Sequence, residues 1–458
     1  MSRVHVVKTT YVPLPPSPAP LPDRVDLSLF DALWICFPPI QRLLLFRGSH
    51  VPPLPALLDS LRSALSRTLL PYFTLAGKLT YAPASGDVFI DCSPAAIGPG
   101  VAFFEAESEG GDLGRLADDE VHDVDAFVQL IPELDATELP APVFAVQVTR
   151  FRGAEGSADQ GVALGFAAHH SVVDGRALWR FVEAWAAECR GEAGPPPPSL
   201  DRSVIKHPKG KEIARMFLHR MSPCLPKTTP FFGAIERLSP EFERRTFVMS
   251  RDQIQLLKQQ TTQSVNAVIS KQLQAGRSTT LRPPSTFVSI SAHAWIAFVR
   301  SKGFQPDVDA YIIVIADCRP RLDPPVDDAF FGNCVKYFCA KTRASELLGE
   351  EGPARACAAL QNAINEALED PLKDCETWLN VFDEIDMSRL VNLTASPRFM
   401  VYDITDFGWG RPSRAELVSM NNDGQVVFVG ARDGEGVQVS LALHSLHMEA
   451  FAKHFSGN

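Results

Sequence analysis

The apolar residues of this chain recur with two periods. VFAVQVTRF, Val143 to Phe151, alternates as a half-buried strand does, and GVALGFAA, Gly161 to Ala168, is an apolar run of strand length. The polar insert RGAEGSADQ between them predicts an antiparallel hairpin. In ALWRFVEAWAAECR the period changes: Leu178, Phe181, Val182, Trp185 and Cys189 recur at helical spacing. LLDSLRSALSRTLL, Leu57 to Leu70, is a second amphipathic helix, ended by Pro71. Further on, RRTFVMSRDQIQLLKQQ predicts a strand and then a helix starting near Ser250. A buried helix over Ser285 to Gly303 and a fully buried strand over Tyr311 to Ala316 follow. GQVVFVGARDGEGVQVSLAL reads as a hairpin and LHMEAFAKHF as a closing helix.

GEAGPPPPS, Gly191 to Ser199, suits neither a helix nor a strand interior. From there to about Pro240 the chain is mixed, with Lys206, Lys209, Lys211 and Arg215 giving it a basic cast, and it reads as a crossover. The expected division is an N-terminal domain over 1–190, a crossover over 191–240 and a C-terminal domain over 241–458. Strands and helices mix without strict alternation, so a layered α/β or α+β fold is expected.

The stretch HHSVVDGRALW, His169 to Trp179, falls on the predicted strand-to-helix turn. If the strand holds to its end, Val162, Leu164, Phe166, Ala168 and His170 share one face, and Ala163, Gly165, Ala167 and His169 the other. His170 is then in phase with the large apolar residues. Burial lowers an imidazole pKa and keeps the ring neutral, as a general base requires. His169 reads as a hydrogen-bonded structural residue. Asp174 can orient an imidazole as in a catalytic triad, cap the next helix, or pair with an arginine; the structural readings take precedence. Gly175 fits a tight turn.

Composition narrows the classes. The 458 residues are 45% hydrophobic and 21% charged, enough for two domains or three. A formal net charge of -10 argues against nucleic-acid binding. The N-terminus lacks the apolar core of a signal peptide, and no apolar run approaches a membrane span, so no membrane is expected. Nine cysteines without CxxC pairs suggest reduced core thiols and a cytoplasmic protein. No metal set is visible. DFG at Asp406 to Gly408 stands without HRD, a Gly-rich loop or VAIK, which removes a kinase, and GxxxxGK[ST], GxGxxG and GxSxG are absent.

HHSVVDG, FFGNC and DFGWG, in this order and about 160 and 70 residues apart, resemble the plant BAHD acyltransferases. The first matches that family's HxxxD motif at His170 and Asp174, and the last its DFGWG motif at Asp406, Phe407, Gly408, Trp409 and Gly410. HHxxxDG alone also occurs in peptide-synthetase condensation domains; with DFGWG at this separation it is specific. SLFDALW, YFTLAGKL, STFVSISAHAW and ADCRPRLDPP extend the likeness over nearly the whole chain. ADCRPRLDPP with FFGNC is similar to the anthocyanin, flavonoid and phenolic glucoside branch, with Phe330 where YFGNC has tyrosine.

The resemblance implies two similar-sized α/β domains of the chloramphenicol acetyltransferase kind, with a channel between them. It implies an acyl-CoA co-substrate, malonyl-CoA in the branch it resembles, no permanently bound cofactor, a phenolic or flavonoid glycoside as acceptor, and a monomer. His170 would take the acceptor's proton with no acyl-enzyme. Asp174 would support the turn, Asp406 would hold architecture through an arginine, and the Trp409 indole N–H is a possible oxyanion donor. A malonyl carboxylate needs a cation, for which Arg176, Arg180 and Arg398 are candidates. Lys258, Lys302 and Arg319 are candidates for the CoA phosphates. Rival readings are hydroxycinnamoyl or other acyl transfer to an amine or aglycone alcohol, and a degenerate ligand-binding member.

Overall fold

A computed structural model describes residues 3–48, 50–152, 160–228 and 241–457. Most of the predicted hairpin insert and residues 229–240 of the predicted crossover lie outside these. Two six-stranded mixed sheets organise the chain. The first runs in the order Arg3–Val12, Val101–Glu109, Phe144–Phe151, Gly161–Ala168, Ile40–Arg47, Arg414–Glu416. The second runs Phe242–Met249, Val437–His444, Gln425–Gly430, Leu390–Ala395, Asp309–Asp317, Val335–Arg343. A small four-stranded sheet includes Lys78–Ala82 and Asp87–Asp91.

Strands Phe144–Phe151 and Gly161–Ala168 form the expected antiparallel hairpin. The first is buried on both faces rather than half-buried, because it lies inside the sheet with helices packed beyond it. The apolar run Gly161–Ala168 is central for a reason visible in its side chains. Val162, Leu164 and Phe166 face the main core, while Ala163 and Ala167 face a smaller one. Gly165 lies on the small-residue face, where a Cβ would meet the Leu130 carbonyl oxygen at 2.1 Å. One face is bulky to fill a core and the other is minimal to admit backbone.

The strand ends at Ala168, earlier than the alternation argument assumed. The His169 N–H donates to the Val143 carbonyl at 2.8 Å, and the chain then turns into helix Gly175–Arg190. In the second half, Ser250 caps helix Arg251–Gln274 with a capping box, and helix Thr286–Ser301 is buried along most of its length. Strand Asp309–Asp317 is buried through Val314 and half-exposed beyond it, where the sheet meets the site described below.

The halves are stitched together. Strand Arg414–Glu416 pairs antiparallel with Ile40–Arg47, adding a sixth strand to the first sheet from the distant end of the chain. The main core likewise joins Phe166 and Trp185 to Phe330, Phe331, Phe407 and Trp409. Among the described residues no helix is long and apolar enough to cross a membrane, and no disulfide is formed.

Candidate active site

The principal distant contacts of the HHSVVDG turn come from segments the sequence had already marked, SLFDALW, ADCRP and FFGNC. His170 lies flat against Trp34 of SLFDALW, ring centroids 4.2 Å apart and 8° between planes, with Phe37 at its edge. Its carbonyl accepts from Asn333 Nδ2 of FFGNC at 2.8 Å. Asn333 is held by Asp31, whose Oδ1 accepts from its backbone N–H at 2.8 Å and its Nδ2 at 3.0 Å. Asp31 in turn accepts from Ser28 and sits 3.5 Å from Arg202, whose Nη2 donates to the Val172 carbonyl.

His170 retains some exposure, whereas His169 is 1% exposed. The Nδ1 of His170 is buried without a hydrogen-bond partner. Burial lowers its pKa to about 3; the Arg42 and His169 charges add to this, and the Asn333 side chain works in the opposite sense. The ring is therefore a neutral acceptor across the physiological range. His169 is structural: burial holds it at about 4 and its Nδ1 accepts from the Ser171 N–H.

Asp174 performs both structural tasks and does not touch the imidazole. It is the N-cap of helix Gly175–Arg190, accepting from the Ala177 N–H at 2.8 Å. Its other oxygen accepts from Arg319 Nη2 at 2.8 Å and from the Cys334 N–H at 3.1 Å. Asp174 and Arg319 are 1% and 0% exposed. Burial would lower the Arg319 pKa, but Asp174 and Asp317 beside it raise it above the ordinary value. The turn that presents His170 is thus tied to ADCRP by the Arg319 ion pair and to FFGNC by the Cys334 backbone amide and the Asn333 side chain.

Likeness to known proteins agrees with this convergence. The model of the family described as the transferase family matches residues 3–457. A malonyl-CoA:anthocyanidin 5-O-glucoside-6''-O-malonyltransferase from Arabidopsis thaliana is 30% identical over 468 residues, covering 99% of this chain and 98% of the relative. The chain belongs to the BAHD acyltransferases. A coumaroyl-CoA:anthocyanidin 3-O-glucoside-6''-O-coumaroyltransferase from the same plant is 28% identical over 475 residues, covering 98% of this BAHD chain and 96% of the relative. The crystal structure of vinorine synthase has the same fold, with a TM-score of 0.72 at 20% identity over 99% of this chain and 98% of that one.

The second BAHD motif is placed differently from the expectation. The Asp406 carboxylate accepts from its own loop, the N–H groups of Gly408, Trp409 and Gly410 at 2.8, 3.1 and 2.9 Å. Gly408 and Gly410 have φ of 99° and 85°, which glycine alone adopts at little cost. The expected arginine is present as Arg190, but it binds the Asp406 carbonyl rather than the carboxylate. Phe407 packs edge-on against Trp185, and Trp409 packs on Phe46. The expectation of an oxyanion donor at Trp409 is corrected: the indole is 5% exposed and its N–H already donates to the Phe407 carbonyl at 2.5 Å. Trp409→Phe keeps a smaller aromatic ring at the site and removes that N–H. We expect kcat to change by less than about 3-fold, against the roughly 10²–10³-fold loss of an oxyanion donor. Steady-state turnover of the purified variant decides it, and a loss of the larger size would return Trp409 to the chemistry.

Most cations proposed from sequence are already engaged. Arg319 is buried in the ion pair above and cannot present itself to a phosphate. Lys302, 9% exposed, pairs with Asp423 at 2.6 Å and the Ser388 carbonyl. Arg176 is shared between Asp317 and Asp328, each at 2.8 Å, and Arg180 donates to the Pro196 carbonyl. Lys258 and Arg398 are exposed, with no ion pair among the described residues.

Three contributors had no role assigned from sequence. Trp34 and Asn333 lay inside quoted motifs, which was the available signal. Arg42 lay in IQRLLLF, on the strand face it shares with Ile40, Leu44 and Phe46.

Proposed function

We propose that this chain transfers an acyl group from acyl-CoA, malonyl in the first place, to a sugar hydroxyl of a phenolic or flavonoid glucoside. The observation that carries the reading is the neutral, half-buried His170 in a turn clamped by the BAHD motifs, in a chain whose near-full-length relatives include malonyltransferases of such glucosides. The acceptor hydroxyl gives its proton to His170 as its oxygen attacks the thioester carbonyl. The tetrahedral intermediate collapses with cleavage of the C–S bond, and the imidazolium returns the proton to the CoA sulfur. No acyl-enzyme is needed, because the thioester is already activated. Arg398 and Lys258 remain available to the CoA moiety. We place the protein in the cytoplasm as a monomer; cysteines without a disulfide among the described residues suit that compartment.

Donor competition tests the reading. Purified protein receives malonyl-, acetyl- and p-coumaroyl-CoA with a panel of flavonoid and phenolic glucosides, and products are read by mass. Malonylated glucosides are expected to dominate. A coumaroyl product would favour the second reading, supported by the coumaroyltransferase relative, and acylation confined to amines or aglycones would overturn the acceptor class.

A further inference from the structure

Arg42 is a charge buried without a counter-ion. It is 4% exposed on strand Ile40–Arg47, opposite Phe166 of the hairpin strand that leads to His170. Its neighbours along the same face, Ile40, Leu44 and Phe46, belong to the apolar core. Its guanidinium carbon stands 5.7 Å from the Trp179 ring centroid. Nη1 donates to the Gln41 carbonyl at 2.9 Å, and Nε is buried with no partner. Among the described residues no carboxylate lies within ion-pair distance of it. Arg244, Arg319 and Arg414, the other arginines buried to this degree and described above or packed nearby, all pair with carboxylates: Arg244 and Arg414 with Glu416, and Arg319 with Asp174. Burial, with Arg244 nearby, drags the Arg42 pKa down to about 9, as an uncompensated cation requires.

An isolated buried cation is costly, and a chain retains one where something anionic arrives. The place limits what that is. Arg42 is close enough to His170 for its charge to act on the imidazole. Its Nη2 faces the start of the helix that follows His170, where a Cβ on Gly175 would lie 3.9 Å from it and 4.0 Å from Phe399. In a malonyl thioester one methylene joins the carboxylate to the carbonyl that reacts, so a cation for that carboxylate must sit beside the general base. Of the arginines just past the turn, Arg176 is neutralised by two aspartates, and Arg180 is not among the charges that act on the His170 imidazole.

We propose that Arg42 receives the free carboxylate of the malonyl donor and sets the donor specificity of this site. The assignment rests on the malonyl reading above. A guanidinium with an unpartnered Nε in a low-dielectric site rewards a carboxylate with charge-assisted hydrogen bonds. The same unpaired charge disfavours donors that leave it uncompensated, so acetyl and aromatic acyl groups are discriminated against by the site itself.

The test compares wild type with Arg42→Met and Arg42→Lys, using malonyl-CoA and acetyl-CoA as donors and one glucoside acceptor. Arg42→Met is expected to lower the malonyl-CoA to acetyl-CoA ratio of kcat/KM by about 100-fold or more. Arg42→Lys is expected to recover part of the loss. The urea midpoint of Arg42→Met should equal or exceed that of wild type, because the residue removed is an unpaired buried charge. A purely structural arginine would show the reverse, a lower midpoint with an unchanged donor ratio, and that result overturns the assignment while the malonyl reading stands. A wild type that does not prefer malonyl-CoA to acetyl-CoA overturns the malonyl reading and this assignment with it.

Discussion

His170→Ala is expected to lower kcat by about 10²–10⁴-fold, the range a positioned general base contributes. The substitution removes a ring whose Nδ1 makes no hydrogen bond and whose main contact is the face of Trp34. The fold should therefore survive, with the Asn333 clamp intact because it grips the His170 carbonyl rather than the ring. An unchanged urea midpoint beside collapsed turnover is the expected pair of results. Turnover equal to wild type would remove His170 from the chemistry. The pH profile supplies a second check. Since burial holds the imidazole pKa at about 3 in the free enzyme, kcat/KM should show no histidine limb between about pH 5 and 8. The direction follows from the base being active when neutral: protonation would remove activity only as pH falls toward 3. A limb centred near the value of a solvated histidine would mean that the ring is open to water before substrate binds. A base of such low intrinsic pKa gains its driving force during the reaction, as the oxyanion forms beside the imidazolium and stabilises it.

The alternation of the GVALGFAA run correctly separated the main-core face from the small-residue face, because strand period is a local property of the backbone. It did not foresee that the strand stops at Ala168, since that depends on the Val143 carbonyl, twenty-six residues upstream of His169. Asp174 as a cap was legible, because capping is local. Arg319 as its partner was not, because a basic residue 145 positions away reads equally well as surface charge until burial is known. Trp409 failed for a related reason: its indole N–H is consumed by a carbonyl only two residues away, through a loop geometry that two positive-φ glycines permit. Arg42 was overlooked because a single arginine between apolar residues gives no sign of whether a carboxylate awaits it across the sheet.

Breaking the Asp174–Arg319 pair is expected to be the most damaging change to stability near the site. Arg319→Met leaves the Asp174 carboxylate buried with two amide donors and no cation, and removing one partner of such a pair typically costs about 3–5 kcal/mol. Asp174→Asn keeps an oxygen for the Ala177 N–H but strips Arg319 of one of its two carboxylates, so a smaller loss is expected, about 2–3 kcal/mol. Removing both charges together should cost less than the sum of the single changes by about 1–3 kcal/mol, the signature of a direct interaction in a double-mutant cycle. Urea midpoints of the four proteins give that number. Catalysis separates this role from a triad. If Asp174 oriented the imidazole, Asp174→Asn would cut kcat by about 10⁴-fold at little cost in stability. With no contact between the carboxylate and the His170 ring, the expected order is inverted: stability falls first, and kcat of the folded protein falls only as far as the turn is displaced. The double variant should then regain part of both. Strict additivity in the midpoints, or a large kcat loss in Asp174→Asn at unchanged midpoint, would dissolve the clamp and return the aspartate to the chemistry.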